Sequence, residues 1–258
     1  LAAFDVRDRV AVTEPGYPCY RNTLEAFGVE VVPIPVGPET RFVPTVEMLS
    51  SVGKLHGLMI ASPANPTGTA LKPDELDEIA GWCKANEVLL IADEIYRFIN
   101  FMGDGPSAGI LDLPDESVGD FVLVDGVSKA FAMTGWRIGF SYSSVDLAKK
   151  MSAFQSHTTS NPSSPAQEAA LAAYTERDRA ELETAKATAI NDFLRGMLVG
   201  VDPWASGEHD LTVVEAMDAA RANVDSIFAD QPLVAAEMHA TMGQTYLGLE
   251  KLAEKHEF

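Results

Sequence analysis

Lys129 and Arg137 stand close together in DGVSKAFAMTGWRIGF, a run of glycine, serine and small apolar residues within an acidic chain. A lysine that is partly desolvated, or that has cations nearby, loses its proton more readily and becomes a nucleophile. Lys129 follows the strand-like DFVLVDG and is expected to be such a lysine. A guanidinium is the side chain best suited to grip a phosphate, and Ser128 with the neighbouring backbone amides could add donors. Singly, Lys129 reads as a solvated loop lysine and Arg137 as a surface ion-pair residue. An amine beside a phosphate clamp instead suggests pyridoxal phosphate, held as a Schiff base.

That cofactor makes demands on the rest of the sequence. Its pyridine nitrogen needs a carboxylate to keep it protonated, and Asp93 closes the apolar run in IADEIY. Its phenolic oxygen needs donors, which Tyr96 and the Asn65 of SPANPTG provide. Its ring needs a stacking partner, and EPGYPCY holds Tyr17 in a Pro-Gly-Tyr-Pro turn. Each has a plainer reading: Asn65 as a turn residue, Asp93 as a helix cap, Tyr17 as a core aromatic. The ordered set Tyr17, Asn65, Asp93, Tyr96, Lys129 and Arg137 is a much stronger signal than any member.

Elements must bring these residues together. DRVAVTEP, VEVVPIPV, HGLMIASP, EVLLIADE, DFVLVDG and IGFSYSS each read as a buried strand bounded by turn residues. Between them PDELDEIAGWCKANE has helical spacing at Leu76, Ile79, Ala80 and Cys83, and opens on a proline. Alternating strands and helices predict an α/β fold with a mainly parallel sheet flanked by helices. In such sheets ligands bind beyond the carboxyl ends of the strands, where Asn65, Asp93 and Lys129 fall. Past residue 175 the text turns all-helical and denser in acids. One helix is expected to show Leu182, Ala185, Ala189, Phe193 and Met197 on one face. After a turn-rich break at VDPWASGEHD, a second should show Val214, Met217, Val224 and Ile227, and a third follows. The predicted organisation is an α/β domain over 1–174 and a helical segment over 175–258.

Composition narrows the function classes. A net charge of −19 over 258 residues argues against nucleic acid or an anionic membrane as partner. No apolar run is long enough to span a bilayer, and LAAFDVRDRV does not read as a signal peptide. Cys19 and Cys83 share no metal-binding spacing and are expected to be free thiols of a cytoplasmic protein, with no metal site. The chain opens without Met and ends in helical text, and is expected to be a piece of something longer.

The motifs EPGYPCY, SPANPTG, IADEIY and GVSKAFAMTGWRIG, followed by TTSNPSSPAQEAAL, resemble the large domain of class I/II pyridoxal-phosphate-dependent aminotransferases over residues 1–174. The resemblance implies amino-group transfer between an amino acid and a 2-oxo acid, by a homodimeric parent enzyme. Lys129 would carry the cofactor and later act as base, Asp93 would pair with the pyridine nitrogen, and Tyr96 and Asn65 would hold the phenolic oxygen. Arg137 and Ser128 would bind phosphate, and Tyr17 would stack on the ring. Gly126 departs from the family, which often places a phosphate-contacting serine three residues before the lysine. The family's glycine/serine phosphate turn and its small domain have no counterpart in the sequence, so impaired activity is expected of the chain as given. The same site residues would serve a β-lyase or a decarboxylase, and a non-catalytic chimera with a helical interaction tail is a further alternative. Residues 175–258 faintly resemble the start of a tetratricopeptide-repeat array, with Met242, Gly243 and Tyr246 as its large, small and aromatic positions; such a tail would bind a protein partner.

Overall fold

The computed structural model describes residues 2–103, 105–199, 213–229 and 232–255. The chain divides into two compact units, Leu1–Ala173 and Tyr174–Phe258.

The first unit is built on a six-stranded sheet formed by β1 (Arg9–Glu14), β2 (Glu30–Pro35), β3 (Gly57–Ala61), β4 (Leu89–Asp93), β5 (Phe121–Gly126) and β6 (Gly139–Ser143), in the order β2-β1-β3-β4-β5-β6. All neighbours run parallel except β6, which is antiparallel to β5. All six expected strands are present. Helices α1 (Pro18–Ala26), α2 (Val46–Ser51), α3 (Pro73–Ala85) and α4 (Val145–Thr158) flank the sheet.

Strand β1 shows why this sequence folds in layers. Side chains alternate across a strand, so Val10 and Val12 pack on one face with Leu24 of α1 and Val29. Ala11 faces the opposite core, which contains Leu49 of α2 and Leu76, Ile79, Ala80 and Cys83 of α3. Strands covered on both faces read as near-continuous apolar text, which is why the runs were legible. Helix α3 buries the four residues that its spacing selects. After β1 the chain crosses one face through α1; after β3 it crosses the other through α3. The connections reverse between β1 and β3, the kind of place where open α/β sheets form a crevice.

One strand departs from expectation. β6 is exposed along nearly its whole length rather than buried. It closes one edge of the sheet, and Phe140 and Tyr142 remain open to solvent. Apolar text specifies a strand without specifying what covers it.

In the second unit the helices are α5 (Ser164–Val199), which begins before residue 174, α6 (Val213–Ile227) and α7 (Pro232–Lys255). Their core is Phe193, Met217, Val224, Phe228, Val234, Ala235, Met238 and Met242. On α5 the expected apolar face holds only in part: Phe193 is buried and Ala189 packs against it, whereas Leu182 and Ala185 are exposed. On α6 Met217 and Val224 are buried, but Ile227 is exposed, and Phe228, just past the helix end with its N–H still donating to the Val224 carbonyl, takes the inward position. The expected break at 201–210 and the side chains of Met197 and Val214 lie outside the described residues. Among the described residues no helix is long and apolar enough to cross a membrane.

Candidate active site

Three carboxyl ends of neighbouring parallel strands supply the walls of one cleft. At the end of β3, Ser62 N–H donates to the Asp93 carbonyl at 3.1 Å and its hydroxyl accepts from Leu71 N–H at 3.0 Å, tying the loop to β4 and to the start of α3. The loop between them folds on itself through Ala64 N–H to Thr69 carbonyl (2.9 Å) and Gly68 N–H to Ala64 carbonyl (2.7 Å). Gly68 has φ +72°, a conformation that glycine adopts without strain. This hairpin presents Asn65.

Asp93 ends β4. Its Oδ1 accepts from Ile95 N–H at 3.1 Å, and its Oδ2 accepts from the Tyr20 hydroxyl. Tyr20 lies one helical turn beyond Tyr17, and the two rings meet edge to face with centroids 5.4 Å apart. Burial, reinforced by the charge of Asp93 and by their hydrogen bond, pushes the Tyr20 hydroxyl far above the usual phenol range. Tyr20 therefore stays a proton donor to Asp93. Tyr96 follows in the turn after β4.

β5 runs into a tight excursion over 127–138 that returns as β6. Val127 is fully buried and pins it: Val127 N–H donates to the Ile138 carbonyl, and Met133 N–H to the Val127 carbonyl. Inside this loop Thr134 Oγ1 donates to the Ser128 carbonyl at 2.8 Å, and Arg137, itself at φ +56°, donates to the Thr134 carbonyl at 3.0 Å. Lys129 Nζ lies 5.4 Å from the centroid of the Tyr96 ring, within cation–π range. Lys129 is exposed, not desolvated as expected: the turn after β5 carries it out past the strand end.

The resulting cleft, about 400 Å³ in volume, is lined by all seven residues singled out in the sequence: Tyr17, Asn65, Asp93, Tyr96, Ser128, Lys129 and Arg137. It also contains residues that sequence reasoning missed, notably Tyr20, Asp125 and Thr134. The second tyrosine of EPGYPCY was a visible signal for Tyr20, because a residue three positions after Tyr17 shares its side of a helix start. Gly126 now has a structural reason. A Cβ there would sit 2.7 Å from the Ile138 carbonyl oxygen and 2.9 Å from Gly139 Cα, so the β5–β6 pairing leaves no space for a serine.

The family model for aminotransferase class I and II matches residues 1–214. The chain belongs to this family. The match continues past residue 175 into the helical text. Among curated proteins, the chain is 44% identical over 184 residues to a valine–pyruvate aminotransferase of Mycobacterium tuberculosis, covering 71% of this chain and 46% of that protein. It is 35% identical over 172 residues to an aspartate aminotransferase of Bacillus subtilis, covering 66% and 44% respectively. The chain thus spans about half the length of the curated relatives it matches. A crystal structure of an aminotransferase from Mycobacterium tuberculosis superposes with a TM-score of 0.64 at 42% identity, covering 75% of this chain and 54% of that one. The Thermus thermophilus aspartate aminotransferase solved with maleate gives a TM-score of 0.63 at 32% identity, covering 78% and 53%.

Proposed function

We propose that this chain carries the pyridoxal-phosphate site of an enzyme that transfers an amino group between an amino acid and a 2-oxo acid. The observation that carries the reading is the convergence, in one cleft, of an amine, a carboxylate and a guanidinium from Lys129, Asp93 and Arg137. The names of the relatives, valine–pyruvate and aspartate aminotransferase, support the reaction class. The donor set fits the cofactor: a flat pyridine aldehyde with one phosphate arm needs an anchoring amine, a carboxylate at the ring nitrogen, a cation at the phosphate and an aromatic wall.

Bound there, pyridoxal phosphate supplies an aldehyde that condenses with amines and a ring that draws electrons. The residues do the rest. Lys129 offers the amine, and once freed it carries the proton that leaves the substrate Cα. Asp93 keeps a proton on the pyridine nitrogen, and the Tyr20 hydrogen bond fixes the orientation of its carboxylate. Tyr96 and Asn65 hold the phenolic oxygen. Arg137 binds the phosphate, with Ser128 beside it, and Tyr17 packs on the ring.

The deciding experiment is loading with pyridoxal phosphate followed by borohydride reduction and peptide mapping. The wild type should carry the label on Lys129, and Lys129→Ala should carry none. Equal labelling of the Ala variant would remove Lys129 from this role.

For the parent enzyme we propose a homodimer, as the family resemblance implies, testable by light scattering. The free thiols of exposed Cys19 and buried Cys83 support a reducing, cytoplasmic setting. For residues 175–258 we propose a helical unit distinct from the 1–174 domain and able to contact another protein, with Ile227 and Leu247 exposed on it. A tetratricopeptide repeat finds no support there. The family match runs to residue 214, and Gly243, its expected small position, faces open space where any side chain would fit.

A further inference from the structure

Glu94 is almost completely buried, yet it does not line the cleft, and none of the roles above uses it. It opens the four-residue turn Glu94–Arg97, closed by Arg97 N–H donating to the Glu94 carbonyl at 2.8 Å. The same two residues also meet through their side chains, Arg97 NH1 standing 3.5 Å from Glu94 Oε2. Both then reach the returning segment. Glu94 Oε1 accepts from Ile110 N–H at 2.6 Å. Arg97 Nη2 donates to both oxygens of Asp112 at 2.8 Å, and its Nε donates to the Ser107 carbonyl at 3.0 Å. Gly109 lies flat against the pair: a Cβ there would come within 2.6 Å of Glu94 Oε2 and 2.7 Å of Arg97 Cζ. The outer residues of the turn are thus fastened away from the cleft, while the two between them, Ile95 and Tyr96, line it.

We propose that Glu94, acting with Arg97, is a positioning residue that fixes the turn after β4 and so sets where Tyr96 stands beside Lys129. This rests on the proposed role of Tyr96 at the phenolic oxygen of the cofactor. A hydrogen bond in a buried network is worth most when its geometry is fixed in advance. The backbone of this turn is what aims the Tyr96 ring toward Lys129. Glu94→Ala removes the Ile110 acceptor and one of the partners of Arg97. Glu94→Gln keeps an acceptor for the Ile110 amide.

The test uses the full chain and two measurements. The first is amide hydrogen exchange at residues 95–99 without cofactor. Glu94→Ala should speed it at least tenfold, Glu94→Gln clearly less, and the β3 and β5 amides should keep their wild-type rates. The second is the pH midpoint of the absorbance change of bound pyridoxal phosphate. Glu94→Ala should move that midpoint in the direction that Tyr96→Phe moves it, and Glu94→Gln should restore at least half of the shift. Unchanged exchange at 95–99, or faster exchange with the wild-type midpoint while Tyr96→Phe shifts it, would overturn the proposal. If Tyr96→Phe itself leaves the midpoint in place, the role given to Tyr96 fails, and with it the cofactor part of the proposal. The exchange data would still decide whether Glu94 fixes the turn.

Discussion

Tyr20 and Gly126 show how single residues constrain this site. Tyr20 donates to a carboxylate, and hydrogen bonds to charged groups contribute about 1.5–3 kcal/mol. Tyr20→Phe should therefore lower stability by roughly that amount while leaving the ring in place; urea unfolding measures it. Gly126→Ser would restore the serine that the family often carries, but backbone atoms of Ile138 and Gly139 stand where its Cβ must go. Overpacking of this kind costs about 1–3 kcal/mol. The variant should unfold at lower urea and bind pyridoxal phosphate more weakly than the wild type, because the displaced strand is the one that follows Arg137. A gain in cofactor affinity would show that the strands separate easily. Residue types and order were enough to single out seven lining residues of the cleft. Tyr20 carried a local cue in its spacing from Tyr17 but escaped because its partner, Asp93, lies 73 positions away. Asp125 escaped because an acid at a strand end has too many ordinary uses to stand out.

Elements were legible where burial forces a pattern. The five parallel strands are flanked by helices, so their text is apolar and their turns are polar. β6 carried the same text but not the same environment. The amphipathic reading of α5 and α6 named residues such as Leu182 and Ile227 that point outward, since a helical period fixes a stripe only to within about a residue. The turn after β4 was invisible as a device: DEIY shows the residues, not the segment from 107 to 112 on which they are fastened. That turn also carries a pH signature. Burial pushes the Glu94 carboxyl up, with Asp112 and Asp125 adding to the effect; the Ile110 amide and Arg97 pull the other way without winning. A folded-state pKa raised above the unfolded one means that the native state holds the proton more tightly. Its stabilising contribution is full below the ordinary carboxyl range and is lost as pH rises through the raised value. Glu94→Gln does not titrate. The difference in melting temperature between Glu94→Gln and wild type should therefore grow in favour of Gln as pH climbs through that window. A difference that stays flat with pH would mean that Arg97 neutralises Glu94 fully.

At the scale of the whole chain, the two units have separate cores. Phe228 is buried and packs with its ring centroid 5.7 Å from that of Phe193. Truncating such a side chain costs about 3–5 kcal/mol. Phe228→Ala should loosen the helices of the second unit, seen as a lower melting transition, and leave borohydride labelling of Lys129 unchanged. Thiol chemistry offers a check on the first unit. Burial pushes the Cys83 thiol up to about 12, so in the native chain a maleimide should modify Cys19 and spare Cys83 until the protein unfolds. The sheet has one more consequence. Asp93 pairs with Ala61 on one side and Val124 on the other, and a slip of one residue would turn its carboxylate to the opposite face. A misthreaded chain can regain its helices and most of its sheet, and spectroscopy of the backbone would not tell it from a correct one. If the proposed site holds pyridoxal phosphate, its trapping would, because a slipped β4 would no longer bring Asp93 into one cleft with Lys129 and Arg137. On that reading the ligand would double as a proofreader of the fold, and the labelled fraction of a refolded sample should track the molecules assembled in register.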